Sequence, residues 1–296
     1  MPMSVFFVGL GALQWGLSGG LASILMGYGW SPLVVSLWRI LVGLVCMGLW
    51  LIWRGARGKR QEFNRSLLAW SALAGVGVAG NFFCYFISIR AGGVAVAITL
   101  MYTAPVMVYV ISFLIGAEKP SWSSALVCVA TLIGVTLMTG IYGNAPVQLT
   151  TLALISGLLS GAFYALFIFA FKSAGEHGSA PAALGVAFLT GLVVLLPLSD
   201  ISEAVKVLSS AQFPLFIIFG VMGAGLSFFF YFWGLRGVLP STAAVTSMIE
   251  PVTATLFGVF VLGQLLQPVE ALGITIILAA VSWLNIHRQL TAQRWS

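Results

Sequence analysis

The chain has 296 residues, of which 60% are hydrophobic and only 7% charged, with a net charge of +6. Soluble domains average roughly 25% charged residues, and a chain this poor in charge cannot coat a water-facing surface. Soluble enzymes, nucleic-acid binders and disordered regulators are thereby excluded. A mean hydropathy of +1.08 predicts an all-α polytopic membrane protein embedded in the lipid bilayer.

A helix crosses the hydrocarbon core with about 20 residues. In chain order, apolar runs of that size fall at 4–26, 33–53, 67–89, 93–115, 121–140, 152–172, 181–199, 213–235, 238–262 and 268–286. They predict ten transmembrane helices joined by short turns. The runs are continuously apolar and do not alternate as barrel strands would. The first run lacks a basic flank and a small-residue cleavage site, so it reads as an uncleaved span. Cys46, Cys84 and Cys128 all lie inside apolar runs without metal-ligand spacing and read as buried small hydrophobes.

Basic residues orient the chain by the positive-inside rule. If the loop after span 2 is cytoplasmic, then Arg54, Arg57, Lys59, Arg60, Arg65, Lys119, Lys172, Arg236, Arg288 and Arg294 all fall inside. Only Arg90 and Lys206 fall outside, and Arg39 lies within a span. Both termini are therefore expected in the cytoplasm.

The halves match at a constant offset of 146: FFCYFISIR at 82–90 aligns with FFFYFWGLR at 228–236. Without a gap, Pro105 then falls on Pro251, Glu118 on Gln264 and Gly11 on Gly157. The expected organisation is a first five-helix repeat over 1–146 and a second over 147–296. Five is odd, so the second copy is inverted. Inverted repeats are the build of secondary transporters, which bind cargo near the midplane and alternate access around it. In principle a monomer is then a complete transport unit.

Trp15-Gly16, Arg39, Thr103-Ala104-Pro105 with Gly116-Ala117-Glu118, and Ile249-Glu250-Pro251 with Leu262-Gly263-Gln264 together resemble the drug/metabolite transporter superfamily. The resemblance is to its ten-helix EamA-type exporters and covers essentially the whole chain. It implies export of small metabolites, commonly amino acids, across a bacterial inner membrane. The second copy departs from the pattern by ending in Gln264 rather than Glu, which fits a helix-end role for Glu118.

Ionisable groups inside a membrane are costly and mark function by default. Arg39 in span 2 and Glu250 in span 9 are the candidates for coupling or gating, together with Pro105 and Pro251. Pro251 removes a backbone donor and is expected to free a carbonyl at the level of Glu250. Glu250 either holds a substrate ammonium or exchanges a proton; a buried Glu250–Arg39 pair or a protonated, carbonyl-bonded Glu is the structural alternative. Asn81 and Tyr85 share a face of span 3, and Ser227 and Tyr231 are their equivalents on span 8. These faces, with Trp15, Thr99, Tyr102 and Trp233, are expected to line one central cavity. Gly16 and Gly20, like Gly157 and Gly161, have the spacing of close helix packing.

No GxxxxGK[ST] motif, metal-ligand cluster or cofactor fingerprint occurs, and no histidine lies deep in a span. No enzyme activity, cofactor, metal or nucleic-acid partner is expected. One basic residue within the spans argues against polyanionic cargo and favours neutral, zwitterionic or cationic cargo; an aromatic, charge-poor cavity suits aromatic or other apolar amino acids. The expected function is a secondary exporter of amino acids, downhill or proton-linked; the alternative is a non-transporting receptor or lipid-handling scaffold on the same fold.

Overall fold

The computed structural model describes residues 2–58, 63–119, 121–139 and 150–293. Lys59, Arg60, Arg294 and the expected repeat boundary at 146/147 lie outside the described residues, as does the side chain of Arg288. The first repeat comprises α1 (Pro2–Gly27), α2 (Pro32–Ala56), α3 (Arg65–Gly92), α4 (Val94–Met101), α5 (Ala104–Leu114) and α6 (Trp122–Met138). The second comprises α7 (Thr151–His177), α8 (Ala180–Leu195), a short α9 (Ile201–Lys206), α10 (Phe213–Gly220), α11 (Ser227–Leu235), α12 (Pro240–Thr246), α13 (Ile249–Phe260) and α14 (Pro268–Gln293). Nine helical stretches among the described residues are long and apolar enough to span a membrane, and α6 adds a shorter one of 17 residues. The protein is an all-helical, multi-pass membrane protein of two inverted five-span repeats.

Three spans depart from the simple helices expected. Span 4 breaks between α4 and α5, and span 9 breaks at the equivalent place between α12 and α13. The physical cause is proline: Pro105 and Pro251 lack the N–H that would continue the helix, and each ring collides with the carbonyl four residues back. Each therefore sits in the first turn of the downstream half-helix, where no N–H is needed. The carbonyl that Pro251 was expected to free is not free. Ser247 O accepts from the Glu250 N–H at 2.9 Å, so a tight turn takes it up. Span 8 joins α10 to α11 through a π-helical stretch, Val221–Leu226.

The repeats interlock rather than lie side by side. α1 packs on α11 and α13 of the other repeat, and α7 packs on α3 and α4; α3 is the counterpart of α11, whereas α4 is the counterpart of α12 rather than α13. Small residues permit these approaches. A Cβ on Gly11 would meet the Ser227 carbonyl and Tyr231, and one on Gly16 would meet the Glu250 carbonyl and Thr253. Gly157 lies as tightly against Leu100 and Ser88. The GxxxG pairs are thus contact surfaces between each repeat's first helix and the other's broken span.

At the end of the bundle where α2 begins, α9 forms a short helix outside the spans. Asp200 caps it, accepting from Ser202 N at 2.9 Å and Glu203 N at 3.1 Å. These bonds, led by the Ser202 hydroxyl, hold the Asp200 carboxyl below the usual carboxylate range. Glu203 Oε1 accepts from Ser31 N at 2.6 Å, and Trp38 Nε1 donates to Ala204 O at 3.0 Å. Both tie α9 to the start of α2.

Candidate transport cavity

A cavity of about 450 Å³ lies between the repeats, within the range of small-molecule sites. Its floor is aromatic: Trp15 on α1 meets Tyr164, Phe167 and Phe228 edge-on at centroid distances of 6.5, 6.1 and 4.9 Å. The walls are α3 (Asn81, Phe82, Tyr85, Phe86), α4 with its C-cap (Ile98, Met101 and then Tyr102) and α13 (Glu250, Pro251, Ala254). Among the described residues, Arg39 and Glu250 are the only charged side chains on the lining.

The two charges sit within each other's electrostatic field. Arg39 donates its Nε–H to Gly223 O at 2.8 Å, so the guanidinium holds a carbonyl of the π-helical stretch. The same group lies over the rings of Phe82 and Phe219, at 5.2 and 5.8 Å, where ring faces offset part of the cost of its burial. Glu250 accepts from Tyr164 Oη at 3.5 Å, and Tyr102 stands in the same cluster. Trp15 is 3% exposed, and its Nε1–H has no hydrogen-bond partner.

The structure brings together Trp15, Asn81, Tyr85, Tyr102, Glu250, Arg39 and Pro251 of the expected residues. The others lie elsewhere, each for a visible reason. Trp233 is 53% exposed and stacks on Phe7 at 5.5 Å on the outer surface, because it is two residues beyond the buried Tyr231 and points the opposite way. Ser227 and Tyr231 are fully buried beneath Gly11, so only one of the two equivalent faces reaches the cavity. Thr99 is held off the lining by its bond to Thr139 Oγ1 at 3.0 Å, and it is Thr139 that borders the cavity. Pro105 is buried inside span 4. Asn81 lines the wall while its Nδ2 donates to Ser160 O and Ser160 Oγ, both at 3.0 Å.

Sequence reasoning missed Tyr164, Phe167 and Phe228. Tyr164 was within reach, because it continues the Gly157–Gly161 face one turn further along α7.

A multi-pass helical protein with inverted repeats, paired broken spans and a central, charge-poor cavity defines a membrane transporter. The EamA-like transporter family model matches residues 2–140 and 151–286, and the chain belongs to that family. It is a transporter and not an enzyme. Among curated proteins, it is similar to the uncharacterized transporter YwfM of Bacillus subtilis, at 26% identity over 97% of this chain and 96% of YwfM. It is also similar to the threonine/homoserine exporter RhtA of Escherichia coli strain K12, at 24% identity over 95% of this chain and 90% of RhtA. A protein crystal structure superposes with a TM-score of 0.72 at 15% identity, covering 94% of this chain and 96% of that one. That likeness supports the fold.

Proposed function

We propose that the protein exports amino acids across a bacterial inner membrane, with both termini in the cytoplasm. The observation that carries the reading is the lining itself: one carboxylate and one guanidinium face an otherwise uncharged aromatic cavity. A zwitterion matches that pair. Its ammonium pairs with Glu250 and its carboxylate with the Arg39 Nη groups, Nε being committed to Gly223. The Trp15 ring and the Tyr85 and Tyr102 side chains orient the remainder. A net cation or anion would leave one buried charge uncompensated, which is costly in low dielectric.

The threonine/homoserine exporter relative supports amino acids as the class, and the aromatic floor favours aromatic and apolar side chains within it. Glu250, in this reading, also exchanges the proton that links export to the gradient.

The test is uptake by proteoliposomes of labelled threonine, homoserine, leucine and phenylalanine, with and without a pH gradient. Saturable uptake is expected. N-acetyl amino acids and amino-acid amides, each lacking one of the two charges, should compete at least about tenfold less well. Equal competition by these analogues contradicts the zwitterion reading, and no flux across the panel overturns amino acids as cargo in favour of other metabolites or a scaffold role.

A further inference from the structure

The two ends of the transport path differ, and the repeat offset says which residues make the difference. At one end α5 packs against α12, and buried groups tie the span 8–9 turn down. Glu118, 9% exposed, accepts from Ser241 N at 3.0 Å and from Ser241 Oγ at 2.5 Å. Lys172 donates Nζ to Val238 O at 2.6 Å and to Leu235 O at 3.3 Å, within the field of Glu118. A carboxylate, an ammonium and a hydroxyl therefore close this end with charge-assisted bonds.

Shifting each number by 146 into the other repeat gives the opposite end. Glu118 corresponds to Gln264, Lys172 to Met26, Leu235 to Ile89, and Ser241 to Ala95. Gln264, Met26 and Ile89 line the cavity mouth, and Gln264 and Ala95 border the adjoining cleft. Here α4 and α13, the counterparts of α12 and α5, stand on opposite walls of the cavity. One backbone bond is shared by the two ends: Glu118 N donates to Ser112 O at 3.1 Å, and Gln264 N donates to Gly258 O at 3.0 Å, the equivalent residue. The side chains differ, and so do the N-caps of the facing half-helices: Gly93, at φ +90°, precedes α4, and Leu239, at φ −72°, precedes α12.

We infer that Glu118 and Lys172 form the latch that keeps one mouth shut, and that Gln264 is the weaker counterpart latch, engaging the first-turn N–H groups of α4 when the other mouth closes. The inference rests on the transport reading, and adds that the side-chain asymmetry biases the resting protein toward the state with the Gln264 mouth open. An amide facing Ala95 makes fewer and weaker bonds than a carboxylate facing Ser241. Substrate is needed to offset that bias, so the two residues set the population of states rather than touching cargo.

The experiment uses full-length protein in nanodiscs without cargo. Cysteines 46, 84 and 128 are replaced, and spin labels are placed at Tyr28 and Leu265, both exposed beside the open mouth. Double electron–electron resonance on the parent should give mainly the longer separation. Glu118→Gln and Lys172→Met should each raise the shorter-distance population, by about tenfold for the carboxylate. Gln264→Glu should raise it in a protein whose closed end is intact; that variant alters an exposed residue and so guards against misfolding of the others. Distance distributions that stay at the parent's values in Glu118→Gln and Gln264→Glu overturn the latch. The readout needs no flux, so its failure leaves the amino-acid reading standing, and failure of the cargo panel leaves the latch standing.

Discussion

Residues 82–90 and 228–236 share five of nine residues and stand in two different places. In the first copy Tyr85 and Phe86 face the cavity. In the second, Tyr231 is buried against Trp15 and Gly11 of α1 and Phe232 against Phe171, 0% and 1% exposed. Local propensity cannot distinguish them; the tertiary state does. An inverted repeat that is open at one end places equivalent side chains in the two environments that a transport cycle exchanges. The hydrogen bonds follow the same division. Asn81 is tied to Ser160 across the α3–α7 seam, whereas their equivalents, Ser227 and Gln14, each carry a buried oxygen without a partner.

That contrast is best broken by substitutions taken in matched pairs. The largest effects belong to the seams. Gly16→Leu and Gly157→Leu each drive a side chain into the opposing helix, at a cost of about 3 kcal/mol or more, and both should abolish the monodisperse folded peak in size-exclusion chromatography. Next, Asn81→Ala should lower the thermal midpoint by removing both Nδ2 bonds to Ser160, a loss of about 1–3 kcal/mol. Ser227→Ala, which deletes an unsatisfied hydroxyl, should leave the midpoint unchanged or raise it. Equal destabilisation by the two would mean that the seams are not in different states.

Glu250→Gln should preserve folding while removing the pH dependence of flux, measured in vesicles with and without a gradient; retained pH dependence would remove Glu250 from coupling. The smallest effect is expected for Trp233→Ala. Its ring lies on the outer surface, so transport should fall by less than about twofold, against a large loss for Trp15→Ala.

The apolar spans, the inverted repeat and the two intramembrane charges, Glu250 and Arg39, were legible in the sequence because each rests on a strong local signal. Membrane length, a constant offset and the rarity of buried charge each needs no knowledge of packing. The placements of Trp233, Ser227 and Thr99 were not legible. Whether a span residue meets lipid, a neighbouring helix or a cavity depends on helix rotation, and an apolar run carries no polar face to reveal it. The equivalence of Tyr85 and Tyr231 was readable, but their different surroundings were not, since a symmetric sequence pattern cannot say which end of the path is open. Glu118 was recognisable as a helix-end residue; its partner Ser241, 123 positions away, was beyond any local rule.

One measurement addresses the contrast most directly. Single cysteines are placed at Phe86 and at its equivalent Phe232 in the cysteine-replaced protein, and alkylation rates are compared in proteoliposomes, first without amino acid and then at saturating concentration. The account predicts fast labelling at 86 and slow labelling at 232 at rest, with amino acid drawing the two rates toward each other as the closed end opens. Equal rates at rest, or rates indifferent to amino acid, would contradict it.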